Sequence, residues 1–125
     1  PLATAVCLCN IQKLERLIQN EQLNHTISHF GATLESAFAQ HPNVAQLRQR
    51  GMTAAIDLKP ANPNQLRFDP KRRTGMNVCI AARKNGLILR PLADSILIVP
   101  PLSISHDEIT FLVQALLKTL NEELN

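Results

Sequence analysis

A chain of 125 residues has room for one domain with a modest core, and its 45% hydrophobic and 18% charged content is ordinary for a globular protein. The net charge of +3 is mild and spread along the chain, so it demands no anionic polymer as partner. With four Phe, no Trp and no Tyr, the core must be aliphatic, and the stacking surface that single-strand nucleic-acid binding needs is nearly absent.

Three cysteines, an odd number without a regular framework, point to reduced thiols and a cytoplasmic address. No apolar stretch has the length of a membrane span, and no basic region precedes the first apolar one as in a signal peptide. The opening at Pro1, straight into an apolar helix, reads as the interior of a longer polypeptide.

Residues 2–20 read as a helix. Its first half, LATAVCLCNI, is apolar nearly all round, which predicts burial between layers; its second half turns amphipathic through Leu14, Leu17 and Ile18. Cys7 and Cys9 point about 200° apart on a helix and cannot easily share a metal, so they read as small core residues. Residues 21–40 continue as a second amphipathic helix with Leu23, Ile27, Phe30, Leu34 and Phe38 as the buried stripe. His25 and His29 have the i, i+4 spacing of a metal pair. No glutamate follows His25 as in H-E-x-x-H and no third ligand is evident, so a solvated or capping role is expected. His41-Pro42-Asn43 ends this helix.

Residues 44–50 and 52–58 read as two strands joined or bulged at Gly51, the first of them an edge; 59–67 is a Pro- and Asn-rich loop. Asp69 as N-cap and Pro70 at the first helical position start a helix over 70–84, and Asn85-Gly86 ends it with a left-handed cap. Met76, Val78, Cys79, Ile80 and Ala82 form its inner side. Lys71, Arg72 and Arg73 crowd its first turn against the helix dipole, which a partner anion or a solvated face would each explain.

The run 85–101, NGLILRPLADSILIVPP, organises the rest. Leu87, Ile88 and Leu89 suit a strand buried on both faces, stopped by Arg90 and barred from simple extension by Pro91. Ala93, Asp94 and Ser95 form a turn, 96–99 is a second apolar run, and Pro100 and Pro101 close it. Ser105-His106-Asp107-Glu108 is a capping box. It opens the strongest helical stripe in 102–125: Ile109, Leu112, Val113, Leu116, Leu117, Leu120 and Leu124. The order helix, helix, strand, strand, helix, strand, strand, helix predicts an α+β fold, a two-layer arrangement with a small, mostly antiparallel sheet covered by helices on one face.

Arg90 is the candidate binding residue. A guanidinium among six or seven aliphatic side chains either meets an anion, for which its planar fork suits a carboxylate, or lies at a strand end with its head in water. Asp57 on a strand and Asp94 in the turn could each orient it. There is no Gly-rich phosphate loop, no G-x-S-x-G, no C-x-x-C and no acid–base pair, so the chain makes a poor free-standing catalyst and a plausible wall of a larger active site.

The stretches RGMTAAIDL and FDPKRRTGMNVCIAARKNGLILRPLADSILIVPPLSISHDEI resemble the C-terminal part of class III aminotransferases, which use pyridoxal phosphate. The opening PLATAVCLCNIQKLE is similar to the helix after that family's G-N-P-L-A-C-A segment, so the resemblance spans essentially the whole chain. Within the family the run 86–101 is most similar to the branch that aminates 8-amino-7-oxononanoate in biotin synthesis. The resemblance implies that 1–125 is the small C-terminal domain of a fold type I pyridoxal-phosphate transferase. Residues 1–20 would then be the helix leading from an absent N-terminal large domain. It implies a homodimer, a small keto or amino acid substrate, and Arg90 as the residue binding the substrate carboxylate.

The family's Schiff-base lysine, ring-nitrogen aspartate, stacking aromatic and phosphate-holding threonine would all precede residue 1. None of Lys13, Lys59, Lys71, Lys84 or Lys118 has the lysine's context. No catalytic, cofactor-binding or metal-binding residue is therefore expected in this chain, and the isolated chain is expected neither to bind pyridoxal phosphate nor to be active. Ala93 stands where the family's R-P-x-G turn commonly has Gly, and Leu97 where some members carry a Tyr near the substrate. Two rival readings stand beside this one: a non-catalytic binding domain of the same fold whose basic surface at 67–73 meets an anion or nucleic acid, and a stand-alone enzyme, which lacks a visible constellation.

Overall fold

The computed structural model of the chain describes residues 1–19 and 21–124. Helices α1 (Leu2–Gln19) and α2 (Glu21–Phe38) open it; Asn20, expected as the last residue of the first helix, and Asn125 lie outside the described residues. Strands β1 (Val44–Arg50) and β2 (Thr53–Leu58) form a hairpin through Gly51 and Met52. Gly51 takes φ +57°, a left-handed conformation that glycine adopts without a Cβ penalty. Strands β3 (Arg90–Leu92) and β4 (Ser95–Ile98) add to β2, giving one antiparallel sheet in the order β1-β2-β4-β3, with β1 at an edge as the alternation predicted. Helix α4 (His106–Leu124) closes the chain.

Period-two alternation divides the sheet into two unlike faces. Ala54, Ile56 and Leu58 of β2 and Ile96 and Ile98 of β4 meet the stripes of the helices. Phe30, Leu34 and Phe38 of α2 and Ile109, Val113, Leu116 and Leu120 of α4 complete that core, with Ile27, Leu112, Leu117 and Leu124 at its half-buried margin; Leu23 of the expected stripe is half-buried outside it. The capping box of α4 forms as read: Glu108 N–H donates to Ser105 Oγ at 3.2 Å, and Ser105 N–H donates to the Glu108 carboxylate at 2.8 Å. These bonds hold the Glu108 carboxyl below the usual carboxylate range.

Four local expectations need correction. The helix over 70–84 is interrupted: a 3-10 turn, Pro70–Arg72, is capped by Asp69 as expected, and Arg73 then flips to φ +49° before α3 (Thr74–Ala81) begins. A further 3-10 turn, Ala82–Asn85, ends at Gly86 with φ +83°, the left-handed cap expected there. The break lets α3 press on the β3–β4 turn. Gly75 N–H donates to Asp94 Oδ1 at 3.2 Å, and a Cβ on Gly75 would collide with the Ala93 carbonyl oxygen. The same reorientation leaves Ile80, assigned to the inner side, half-exposed, while Val78, Cys79 and Ala82 are buried.

Residues 87–89 join no strand ladder, so Arg90 starts a strand rather than ending one. The β3–β4 ladder ends at the Arg90–Leu97 pair. Pro91 sits inside β3 without penalty because β3 is an edge strand. Leu87 is buried and Ile88 is 89% exposed, so the run is buried on one side and not both. Third, α1 buries none of its residues, contrary to burial between layers, because its main packing within this chain is on the adjoining α2. Fourth, His29 is half-buried rather than solvated; it lies where α2 packs on the start of α4, and its ring stacks on His106 at 4.2 Å.

Candidate functional site

The face of the sheet opposite the helices carries one row across all four strands: Arg48 of β1, Ala55 of β2, Leu97 of β4 and Arg90 of β3. The two arginines at its ends differ in what they meet. Arg48 lays its fork on Asp57, with Nε donating to Oδ2 at 3.0 Å and a terminal nitrogen donating to Oδ1 at 2.8 Å; Ser95 donates its hydroxyl to the same Oδ1. The Arg48 hydrogen bonds hold the Asp57 carboxyl below its ordinary value, aided by Ser95 and opposed by partial burial. Arg90, by contrast, is exposed and has no hydrogen bond or ion pair among the described residues.

Neither acid proposed to orient Arg90 does so. Asp57 is held by Arg48 and Ser95, while Asp94 accepts from the Gly75 amide on the α3 side of the turn. Asp94 lies in the β3–β4 turn, where the α3 backbone takes its carboxylate, and the register gives Asp57 to its neighbour β1.

Arg90 stands in an exposed aliphatic patch. Leu97 is its direct cross-strand partner; Leu92, two residues on, is 67% exposed; Val99, two beyond Leu97, is 68% exposed. The β3–β4 ladder stops past the Arg90–Leu97 pair. A cleft of about 530 Å³ is lined here by Ile88, Leu89, Arg90, Leu97, Val99 and Pro100, among others. An unpaired guanidinium beside hydrocarbon walls can grip a carboxylate whose body is aliphatic.

The chain's other reactive groups stand apart from this cleft. All five lysines are exposed. Lys13 borders a shallow groove on α1 whose other lining residues are Ala5, Val6, Cys9 and Asn10, which offer no carboxylate and no aromatic ring. These residues do not compose a pyridoxal phosphate site by themselves. Cys7 and Cys9 are exposed, and Cys79 is buried, which pushes its thiol above its ordinary value and away from nucleophilic use. Among the described residues no group of three or more His, Cys, Asp and Glu could hold a metal, and no helix is long and apolar enough to cross a membrane.

Reading the sequence missed the Arg48–Asp57–Ser95 network, whose members are 9 and 38 residues apart. A strand-borne Arg and Asp of opposite charge on adjacent strands was the available signal, but it needs the register to be read.

The chain matches the class-III aminotransferase family model over residues 1–120. It is 36% identical over 121 residues to the adenosylmethionine-8-amino-7-oxononanoate aminotransferase of Geobacter sulfurreducens, covering 97% of this chain and 26% of that protein. It is 32% identical over 122 residues to the putrescine–pyruvate aminotransferase of Pseudomonas aeruginosa, with shares of 98% and 26%. Among solved structures, the adenosylmethionine-8-amino-7-oxononanoate aminotransferase of Methanocaldococcus jannaschii superposes with a TM-score of 0.82 at 27% identity, over 95% of this chain and 26% of that one. The chain thus spans about a quarter of the length of the relatives it matches. Its antiparallel sheet and helices are the α+β fold of pyridoxal-phosphate transaminases, and the chain belongs to the class III aminotransferase family.

Proposed function

We propose that the chain is the small C-terminal domain of a pyridoxal-phosphate aminotransferase that transfers an amino group to 8-amino-7-oxononanoate, giving 7,8-diaminononanoate for biotin synthesis in the cytoplasm. The observation that carries this reading is Arg90, an unpaired guanidinium at an aliphatic cleft. The acceptor has a carboxylate at one end of a hydrocarbon chain and its ketone near the other. Arg90 holds the carboxylate with its planar fork. Ile88, Leu97 and Val99 receive methylenes from water, which favours a long aliphatic acid over a short polar one. With that end fixed, the ketone is delivered to chemistry supplied by the rest of the enzyme, so the role of this domain is positioning.

The cofactor and its lysine belong to the large N-terminal domain in this reading, and the exposed apolar side of α1 is the surface on which that domain packs. The whole enzyme works as a homodimer. A second reading, another ω-aminotransferase with a short keto acid as acceptor, draws on the similarity to the Pseudomonas aeruginosa protein.

In the complete enzyme, Arg90→Ala raises KM for 8-amino-7-oxononanoate about 10–100-fold, the worth of hydrogen bonds to a charged group, and leaves the half-reaction with the amino donor nearly unchanged. Arg90→Lys restores part of the loss because a point charge replaces the fork. Unchanged kinetics toward the acceptor in Arg90→Ala would overturn the role. A loss seen only with short keto acids would favour the second reading.

A further inference from the structure

We propose that a second cleft, between the β3–β4 turn and the start of α3, binds a small monocarboxylate with an apolar body. This site is separate from Arg90. Pro91, which borders it, lies on the opposite side of β3 from Arg90 by strand alternation. The cleft measures about 380 Å³, enough for a ring and a short chain. Its floor is apolar: Phe68, Met76 and Pro91, all half-buried. Arg67 and Arg73 stand at its edge, both exposed and neither with an acid partner among the described residues.

The acids nearby are engaged elsewhere. Asp69 accepts from the Lys71 amide, and Asp94 accepts from the Gly75 amide through one oxygen. Two guanidiniums over a hydrocarbon floor call for one anionic head and an apolar body. Asp94, a half-buried carboxylate in the same lining, disfavours a multiply charged anion, and a bare anion would make no use of the apolar floor. A nucleic acid would find one half-buried Phe and no other aromatic ring in the cleft.

The backbone supports the same location. Arg73 at φ +49° and Ala93 at φ +54° are the positive-φ non-glycine residues among those described, and both line this cleft. Left-handed side-chain-bearing residues cluster where the surrounding structure imposes a functional geometry. At Arg73 the conformation turns the chain so that Arg73 and Met76 border one space.

The test is a titration of the full chain with 3-phenylpropanoate, followed by amide chemical shifts. Saturable shifts at Phe68, Met76, Ala93 and Asp94 are expected, with no saturable response to 3-phenylpropanamide or to inorganic phosphate at matched ionic strength. Arg67→Gln and Arg73→Gln each weaken binding about tenfold, as loss of one charged hydrogen bond requires. Arg67 is on an exposed loop, so Arg67→Gln reads binding even if Arg73→Gln perturbs folding. Arg73→Gly separates strain from binding: it raises the melting temperature and still loses affinity. Shifts confined to Ile88, Leu97 and Val99, shifts that never saturate, an equal response to phosphate, or retained affinity in both glutamine variants would each overturn the proposal. No turnover is involved, so the outcome is independent of the aminotransferase reading.

Discussion

Ala93 shows how a single side chain can work against its backbone. Its φ of +54° places a Cβ in the left-handed region, where most turns of this type use glycine. Ala93→Gly therefore stabilises the chain by about 0.5–1 kcal/mol, the relief of left-handed strain less the added chain entropy of glycine, read as a higher urea midpoint at unchanged slope. Asp57 makes a different contribution. Because Arg48 depresses its folded-state value, its stabilisation is complete above the unfolded carboxylate value of about 3.9 and disappears as pH falls through the lower folded value. Asp57→Asn flattens the loss of stability as the pH falls below about 5, and an unchanged pH profile would show that the exposed Arg48 pairing is fully screened. The aliphatic neighbours of Arg90 left two readings open, an anion partner or a head in water, and its freedom from Asp57 and Asp94 was not legible, since both were one turn or one strand away.

Helix α3 depends on close backbone contact more than on its own propensity. It has eight residues, too few to persist alone, and it holds its place by packing Val78 and Cys79 into the core and Gly75 against the β3–β4 turn. Gly75→Ala forces a Cβ onto the Ala93 carbonyl oxygen, which is backbone and cannot swing aside. A loss of about 1–3 kcal/mol in chemical denaturation is expected, with larger shifts in the amide spectrum at Asp94 than in β1. The caps at both ends of the 70–85 segment were readable because Asp69, Pro70 and Gly86 act locally. The left-handed break at Arg73 was not, since it answers to a turn 20 residues further on.

Across the molecule, α1 is the one α-helix with no buried residue among those described. Leu2 is 80% exposed, and Val6, Leu8, Ile11 and Ile18 lie open as well. An apolar helix in water is expected to associate, so the purified chain forms concentration-dependent oligomers by analytical ultracentrifugation, and Val6→Asp with Ile11→Asp shifts it toward monomer without lowering the melting temperature. Incubation of the same chain with pyridoxal phosphate and borohydride yields no stoichiometric adduct by mass, since its exposed lysines stand in no built site. An adduct at one lysine would move the cofactor site into this chain and overturn the division of labour proposed between domains.

The order of helices and strands, the caps of α4 and of the 70–85 segment, and the stripes of α2 and α4 follow from local chemistry and were determined by the sequence alone. Periodicity, caps and prolines act over four residues or fewer, so one chain suffices to read them. The pairing of Arg48 with Asp57, the cross-strand row that ends at Arg90, the break at Arg73 and the exposure of α1 came only with the folded chain. Each depends on which strand lies beside which and on what presses against a given face, and those relations join residues too far apart in the chain for a local pattern to carry them.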